Sequence, residues 1–352
     1  MSIGNKIRLV LLAILIVMVM WLKIDYDNNR INELNTKLAE TEENNKRLEN
    51  NNKNQDVIIN NLQEKIYDLE NVTADGTKES NIDYFELREE IIGFDVREIE
   101  AADKSDWYYY NTLGDYEKED YIKILYCLAT MGSTSELKET AAEEVYRLYY
   151  CVTMDHETLF WVNGCTYKYS EEHKKYIFTG IYEQDLCINT VNLYNAWNEI
   201  KEYKNEVLSQ MNNFMTDVEK ELVIFNYIIT HTTYEKESFQ NQSLYSVVRE
   251  KSVCAGISKM FKYLCDEAGI KCICIKGTHN ESGIGHMWNL VQLEKENYFV
   301  DSTNSLMKFK NGTIFISYDI FNTNRERLEK SYTIDEEYEI PRIGVGEQYA
   351  KS

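Results

Sequence analysis

Three residues of the kinds used in thiol catalysis follow one another along the chain: Cys254, His286 and Asp301. Cys254 stands at the start of a helical pattern, where exposed N–H groups and the positive dipole end lower the pKa of a thiol. A neighbouring histidine can take the thiol proton, and a carboxylate can orient the imidazole ring and stabilise its charged form. The three residues together predict a cysteine nucleophile activated by a histidine.

The elements around these residues are predicted to bring them together. Apolar residues recur at helical spacing after Cys254, and Gly269 ends that helix. A strand over 272–276 and a polar loop over 277–285 lead to a second strand that opens with His286. Residues 298–301 alternate as its hairpin partner, so antiparallel pairing sets His286 beside an aspartate 15 residues away.

Each of the three residues also has an ordinary structural explanation. A cysteine at a helix start is commonly a small buried hydrophobe, a histidine before an aromatic residue is commonly structural, and an aspartate at a strand end is commonly a cap. These explanations do not predict the joint order and spacing. His279, in the polar loop, is a rival general base, but it lacks the strand context of His286.

The order of three motifs resembles the catalytic core of the transglutaminase-like superfamily. The motifs are Cys254 at a helix start, His286-x-Trp288-Asn289 on a strand and Tyr298-x-Val300-Asp301 on the next strand, and the match covers residues 216–305. The resemblance implies an α+β, papain-like core in which a helix carrying the cysteine packs on an antiparallel sheet carrying the histidine and the aspartate. It also implies a nucleophilic Cys254, His286 as general base and acid, and Asp301 as the orienting acid.

The resemblance extends to two aromatic residues and fails at one position. Tyr234 and Trp288 match positions that the family tends to fill with aromatics, which implies a role in substrate binding. The last strand continues from Asp301 through Ser302 and Thr303 to Asn304, where the family commonly has an aromatic residue. The substrate pocket is therefore expected to differ from that of the family.

An oxyanion formed during acyl transfer needs hydrogen-bond donors near the thiol. The backbone N–H of Cys254 is one candidate. Gln240 and Gln242 are side-chain candidates in the preceding segment, where Asn241 is the only other amide. The sequence does not choose between them.

The N-terminus carries a short apolar run, Leu9–Leu22, flanked by Arg8 and Lys23. It is shorter than the ~20 residues that usually span a bilayer, so a cleaved signal peptide is one interpretation. No small-residue cleavage site follows, and Trp21 suits a membrane interface, which favours an uncleaved anchor over residues 1–24. The positive-inside rule then predicts a single-pass cell-membrane protein with an extracellular catalytic domain.

A heptad pattern follows over residues 25–72 and predicts a coiled-coil stalk, with a linker over 73–81. Such a stalk would allow a homo-oligomer, although polar residues such as Asn45 and Asn52 interrupt its seam. A single charged helix or a frayed linker is the alternative interpretation.

The remaining chain divides into a helical/α+β region over 82–215, the catalytic core over 216–320 and a C-terminal tail over 321–352. Within the first region, Asp155 and His156 precede Phe160-Trp161. They could be catalytic residues or metal ligands, but a polar turn that pins a helix end beside a buried aromatic pair is the simpler interpretation.

Composition narrows the class of partner. A net charge of −21 argues against nucleic-acid binding.

The spacing of the eight cysteines matches no zinc site and does not assign any disulfide. Cys272 and Cys274 are predicted to point the same way along a strand. No metal and no cofactor are expected. A single proline among abundant Asn, Lys, Ile and Tyr suggests an AT-rich bacterial genome.

Three functions remain open at this point. The first is a cysteine peptidase or amidase that acts on extracellular proteins or cell-wall peptides. The second is a protein-glutamine transferase that cross-links its substrates, because water and an amine can both accept an acyl group from the same thioester. The third is a catalytically silent, membrane-tethered scaffold that binds protein partners.

Overall fold

A computed structural model divides the chain into two units, Met1–Thr77 and Lys78–Ser352. It describes residues 84–132, 135–137, 142–187, 190–235, 242–303, 306–308, 314–343 and 349–350. The predicted anchor, stalk and linker lie outside these residues, as do Gln240 and Asn241. Within the described ranges, no helix has both the length and the apolar character needed to cross a membrane.

The first part of the second unit, residues 84–208, is a set of helices with one small sheet. The helices are α1 (Tyr84–Ile92), α2 (Tyr108–Thr112), α3 (Asp115–Ala129), α4 (Ala142–Asp155), α5 (Gln184–Cys187) and α6 (Thr190–Leu208). The strands β1 (Ser135–Glu136), β2 (Val162–Ser170) and β3 (Lys175–Tyr182) pair antiparallel in the order β1-β3-β2. This part, called the helical region below, agrees with the mostly helical, α+β region that the sequence predicts.

The part that follows contains the sheet that carries the site. Its helices are α7 (Asp217–His231), α8 (Tyr245–Val248), α9 (Cys254–Glu267) and α10 (Arg325–Leu328). Its strands are β4 (Thr233–Tyr234), β5 (Lys251–Ser252), β6 (Cys272–His279), β7 (Gly285–Leu293), β8 (Glu296–Val300), β9 (Leu306–Lys308), β10 (Ile314–Ile316) and β11 (Tyr332–Ile334). The main sheet is antiparallel with the order β11-β6-β7-β8, while β4–β5 and β9–β10 form separate pairs. A mixed α+β architecture with antiparallel sheets is what the sequence predicts.

The strand β6 is longer than expected. The sequence predicts a loop from Gly277, but β6 continues to His279 and only residues 280–284 form the turn to β7. The extension has a partner that lies far along the chain, because Gly277 pairs with Ile334 and His279 pairs with Tyr332 of β11. Residues in the predicted C-terminal tail therefore complete the sheet.

Helix α9 is buried on all sides. Every residue from Ala255 to Cys265 is buried, although the sequence pattern predicts only one apolar stripe. One side lies on the sheet, where the Ser258 hydroxyl donates to the Met287 carbonyl at 3.0 Å. Another side meets the helical region, where Lys262 pairs with Glu157 at 2.7 Å. Close packing on both sides therefore fixes the position of the helix.

The helical region and the sheet also share one hydrophobic core. Trp197 of α6 packs against Tyr263 of α9 with ring centroids 6.2 Å apart. The Tyr109 hydroxyl donates to the Cys274 carbonyl in the middle of β6. The helical region therefore supports the strand and the helix that carry the site.

The Asp155-His156 turn has the structural role that the sequence predicts. The Asp155 carboxylate accepts the backbone N–H groups of Tyr109 and Tyr110 at 2.9 Å each, which fixes the start of α2. Burial raises the pKa of Asp155 to about 6. His156 is buried against Trp107, with ring centroids 4.6 Å apart, and its burial lowers its pKa to about 3. A histidine that stays neutral in this way is a packing residue.

The eight cysteines are unpaired. Cys272 and Cys274 lie on the same face of β6, as predicted. The Asn289 side-chain amide approaches both sulfurs, at 3.5 Å and 3.8 Å. No metal site is formed by three or more His, Cys, Asp or Glu residues in the described part of the chain.

Candidate active site

The nucleophile lies at the first residue of α9. Burial of Cys254 by itself raises the pKa of the thiol, but the hydrogen bond and the charge of His286 lower it, as does the backbone N–H of Met287. The net effect is a pKa below that of an ordinary thiol. The structure therefore favours a thiolate at Cys254.

The first turn of α9 is fixed by close packing at Gly256. A Cβ atom at this position would collide with the hydroxyl groups of Ser246 and Ser252 and with the Ser243 carbonyl. The two serine hydroxyls are 2.6 Å apart in a buried hydrogen bond. Glycine thus lets the segment before the helix lie directly against the turn that presents the thiol.

His286 lies at the start of β7 and is held by Asp301, which directly follows β8. The two side chains meet through His286 Nε2 and Asp301 Oδ2 at 2.9 Å. This contact leaves Nδ1 as the ring nitrogen for the Cys254 thiol. Burial lowers the pKa of His286, but the Asp301 charge, the hydrogen bond to Asp301 and the thiol raise it to about 10. The two shifts therefore favour the thiolate–imidazolium form of the pair.

Asp301 is kept ionised by three groups, one of which the sequence does not reveal. Burial raises the pKa of this carboxyl, but the charge and hydrogen bond of His286, the Thr303 N–H and the Tyr332 hydroxyl lower it below its usual value. Thr303 N lies 2.9 Å from Oδ1, and the Tyr332 hydroxyl donates to Oδ2 at 2.8 Å. Asp301 is thus an acceptor for three donors.

Tyr332 also packs against the catalytic ring. The Tyr332 and His286 rings are stacked with centroids 4.8 Å apart and planes 15° apart. On the same face, Tyr332 and Trp288 are 5.2 Å apart and tilted by 24°. Gly277 permits this approach, because a Cβ there would collide with Trp288 and with the Thr333 carbonyl of β11. A residue from the predicted tail therefore orients both His286 and Asp301.

Trp288 does not have the exposed position that a substrate-binding role requires. Its side chain is fully buried on the sheet face that carries His286, and the two rings are 5.9 Å apart. His286 and Trp288 are two residues apart on β7, so their side chains lie on the same face of the sheet. Trp288 is the more deeply buried of the two. This placement corrects the expectation from the resemblance: Trp288 supports the ring of His286 instead of contacting substrate.

Tyr234 lies directly over the thiol. Burial raises the pKa of its hydroxyl to about 12, together with the nearby Cys254 charge and a hydrogen bond to the Cys254 side chain. The backbone N–H of Cys254 donates to the same hydroxyl oxygen. Tyr234 is therefore protonated at neutral pH and occupies the position where that N–H would hold a substrate carbonyl oxygen.

The other predicted candidates have different surroundings. His279, the rival base, packs edge-on against Tyr332 at 5.4 Å and accepts the Glu281 N–H, so its contacts are not with the thiol. Gln242 is not among the groups that shift the pKa of the Cys254 thiol. The hydroxyl of Tyr234 lies beside the Cys254 N–H, the backbone candidate for the oxyanion hole.

The helical region supplies one more residue near the thiol. Tyr150, on α4, has a pKa raised by burial, by Cys165 and by Cys254. Lys276 Nζ lies 4.9 Å from the centre of its ring and pairs with Asp335 at 2.6 Å. No local sequence pattern connects α4 to the site, because this proximity arises from packing of distant segments.

Comparison with known proteins gives one similarity in sequence. No protein-family model matches the chain. The Kyphoscoliosis peptidase of Mus musculus is 27% identical over 121 residues, covering 30% of this chain and 18% of that protein. The resemblance that the motifs predict is accompanied in sequence by this similarity to a protein named as a peptidase. The chain spans less than a fifth of the length of this relative.

Solved structures align over part of the chain. A TGase is 16% identical with a TM-score of 0.30, covering 42% of this chain and 45% of that chain. A protein assigned as a cysteine protease, from Cytophaga hutchinsonii, is 13% identical with a TM-score of 0.27, covering 44% and 65%. At these TM-scores, the chemistry of the site rests on the contacts of Cys254, His286 and Asp301 themselves.

Proposed function

We propose that this protein is a membrane-anchored, extracellular thiol enzyme, and specifically a cysteine peptidase or amidase. The observation that carries the chemistry is the hydrogen-bonded sequence from Cys254 through His286 to Asp301, with its lowered thiol pKa and raised imidazole pKa. Anchoring and export rest on the Leu9–Leu22 run and the charges around it. The substrates we propose are proteins or cell-wall peptides outside the cell.

The first half of the reaction makes a thioester. Cys254 Sγ attacks the amide carbonyl carbon, and the Cys254 N–H stabilises the charge that develops on the carbonyl oxygen. The Tyr234 hydroxyl must move aside from that N–H, and it is then placed to donate to the same oxygen. Imidazolium His286 gives its proton to the leaving nitrogen as the carbon–nitrogen bond breaks.

The second half releases the acyl group. Neutral His286 takes a proton from water, and the water oxygen attacks the thioester carbonyl. The carbon–sulfur bond breaks, a carboxylic acid leaves, and Cys254 returns to the thiolate. A primary amine in place of water would give a new amide, which is the transferase alternative. The relative that is named a peptidase favours hydrolysis.

The test is the pH dependence of alkylation by iodoacetamide in the full-length protein, read for each cysteine by peptide mass spectrometry. We expect rapid labelling of Cys254 at pH 6, well below the ~8.5 of a free thiol. Cys187 is an internal control, because burial raises its pKa to about 12. The His286→Ala variant should label Cys254 slowly at pH 6.

The outcomes separate the three candidate functions. Slow labelling of Cys254 that rises only near pH 8.5 and ignores His286→Ala would reject the enzyme and favour the scaffold. With a reactive thiolate, peptide substrates gain the elements of water if the protein is a hydrolase. Incorporation of an added primary amine in preference to water would instead identify a transferase. The Cys254→Ala variant must be inactive in both assays.

A further inference from the structure

A small pocket opens beside the nucleophile. Its volume is about 240 Å³, and its wall includes Tyr234, whose hydroxyl contacts the Cys254 thiol. Ile228 and Ile229, near the end of α7, and Ile257, one turn after Cys254, form its apolar side. We refer to it as the Tyr234 pocket. Because one residue lines the pocket and touches the thiol, a group attached near the attacked carbonyl can reach it.

The polar side of the Tyr234 pocket comes from the two residues that follow Asp301. Ser302 and Thr303 line the Tyr234 pocket directly after Asp301. Ser302 is only 4% exposed. Like Thr232 Oγ1 on the same wall, its Oγ and the Thr303 Oγ1 are buried and have no hydrogen-bond partner among the described residues. The Thr303 N–H bonds to Asp301, which fixes the backbone that carries both hydroxyl groups.

Unpaired buried hydroxyl groups are uncommon because they cost free energy. A hydroxyl both donates and accepts, and its hydrogen rotates to suit its partner. A substrate group that accepts from one hydroxyl and donates to the other would satisfy both. An alkyl group of the same size would leave both unpaired.

Charge and size narrow the ligand further. The described wall of the Tyr234 pocket contains no charged side chain, so an ionised group would be buried there without a counter-ion. The volume is below the ~300–1,000 Å³ of pockets that hold drug-sized ligands. It suits one side chain of a polymeric substrate.

We infer that the Tyr234 pocket selects substrates by the side chain next to the attacked carbonyl, and that this side chain is small, uncharged and able to form hydrogen bonds. Ser302 and Thr303 are the specificity-determining residues. The inference rests on the proposed function to the extent that Cys254 must attack a carbonyl group.

The experiment uses three vinyl sulfone reagents that alkylate a thiolate and differ only in their side chains. N-acetyl derivatives of asparagine, aspartate and leucine have nearly equal size and present a neutral polar, an anionic and an apolar group. The rate of Cys254 modification in the full-length protein is measured by peptide mass spectrometry. We expect the asparagine reagent to react at least about tenfold faster than the other two.

The matched variants remove only hydroxyl groups. Ser302→Ala/Thr303→Val should reduce the asparagine rate to the leucine rate when each rate is divided by the iodoacetamide rate of the same variant, because that small reagent does not need the pocket. Thr130→Val, which removes a threonine hydroxyl at the end of α3, should retain the wild-type preference. If the double variant loses iodoacetamide labelling as well, the single variants Ser302→Ala and Thr303→Val are judged by the same criteria.

Two failures can be told apart. Slow labelling of wild-type Cys254 by iodoacetamide at pH 6 would reject the proposed function itself. Rapid labelling by iodoacetamide with equal rates for the three reagents would overturn the pocket inference alone. A preference for asparagine that survives removal of both hydroxyl groups would overturn the assignment of Ser302 and Thr303.

Discussion

Glu221 of α7 is a carboxyl group that folding forces to stay protonated. Its side chain is fully buried, and burial raises its pKa from 4.5 to about 8 against the opposing effect of a hydrogen bond from Asn322. The Asn322 amide nitrogen donates to Glu221 Oε2 at 2.7 Å. The remaining oxygens of the two side chains, Glu221 Oε1 and Asn322 Oδ1, have no hydrogen-bond partner among the described residues. We predict that Glu221→Gln stabilises the protein at neutral pH.

The magnitude follows from proton linkage. Between pH 4.5 and about 8, the folded protein keeps a proton on Glu221 that the unfolded chain has released, so stability falls as pH rises. The interval from 4.5 to 7 is about 2.5 pH units, and each is worth about 1.4 kcal/mol, which gives about 3 kcal/mol. Glutamine has no proton to lose, and its amide can donate to Asn322 Oδ1.

The assay is urea unfolding followed by tryptophan fluorescence at several pH values from 4.5 to 8. The Glu221→Gln variant should be about as stable as wild type at pH 4.5 and about 3 kcal/mol more stable at pH 7. Glu326→Gln changes the same charge at an exposed position of α10 and should stay within about 0.5 kcal/mol of wild type. A constant difference across the pH range, or a variant less stable than wild type at pH 7, would refute the reasoning.

Two further predictions concern the tyrosines of the site. Tyr332→Phe keeps the ring on His286 but removes the hydroxyl that holds the pKa of Asp301 down, so we expect kcat/KM to fall about tenfold and its acidic limb to move to higher pH. A pH–rate profile identical to wild type would contradict a positioning role for Tyr332. Tyr234→Phe should lower kcat about 10²-fold with little change in KM if its hydroxyl supports the oxyanion beside the Cys254 N–H. A rise in kcat would show instead that the hydroxyl only blocks that N–H.

The positions of Cys254, His286 and Asp301 could be predicted because they depend on local periodicity in the sequence. The helical spacing after Cys254 predicts α9, and the alternation around His286 predicts β7. The hairpin between β7 and β8 is short, so the pairing that brings His286 near Asp301 needs little information from elsewhere. A period of two along a strand also sets which face each residue occupies.

What the sequence does not reveal depends on segments that meet only in three dimensions. Tyr332 pairs with His279, 53 residues earlier, and no local pattern names that partner. Tyr150 reaches the site because α4 packs beside β6. The enclosure of α9 likewise depends on Glu157 from the helical region, which explains why the apolar stripe underestimates its burial.

The stack of Trp288, Tyr332 and His286 couples the fluorescence of Trp288 to the charge of the His286 ring. A protonated imidazole quenches the emission of an indole that lies against it more strongly than a neutral imidazole does, and these two ring centres are 5.9 Å apart. Because Asp301 and Cys254 raise the pKa of His286 to about 10, we expect the emission of Trp288 to rise as the pH passes through that value. Trp107 also lies beside a histidine, but the pKa of His156 is about 3 and that ring stays neutral throughout. The fluorescence of Trp288 is therefore a readout of the protonation state of His286.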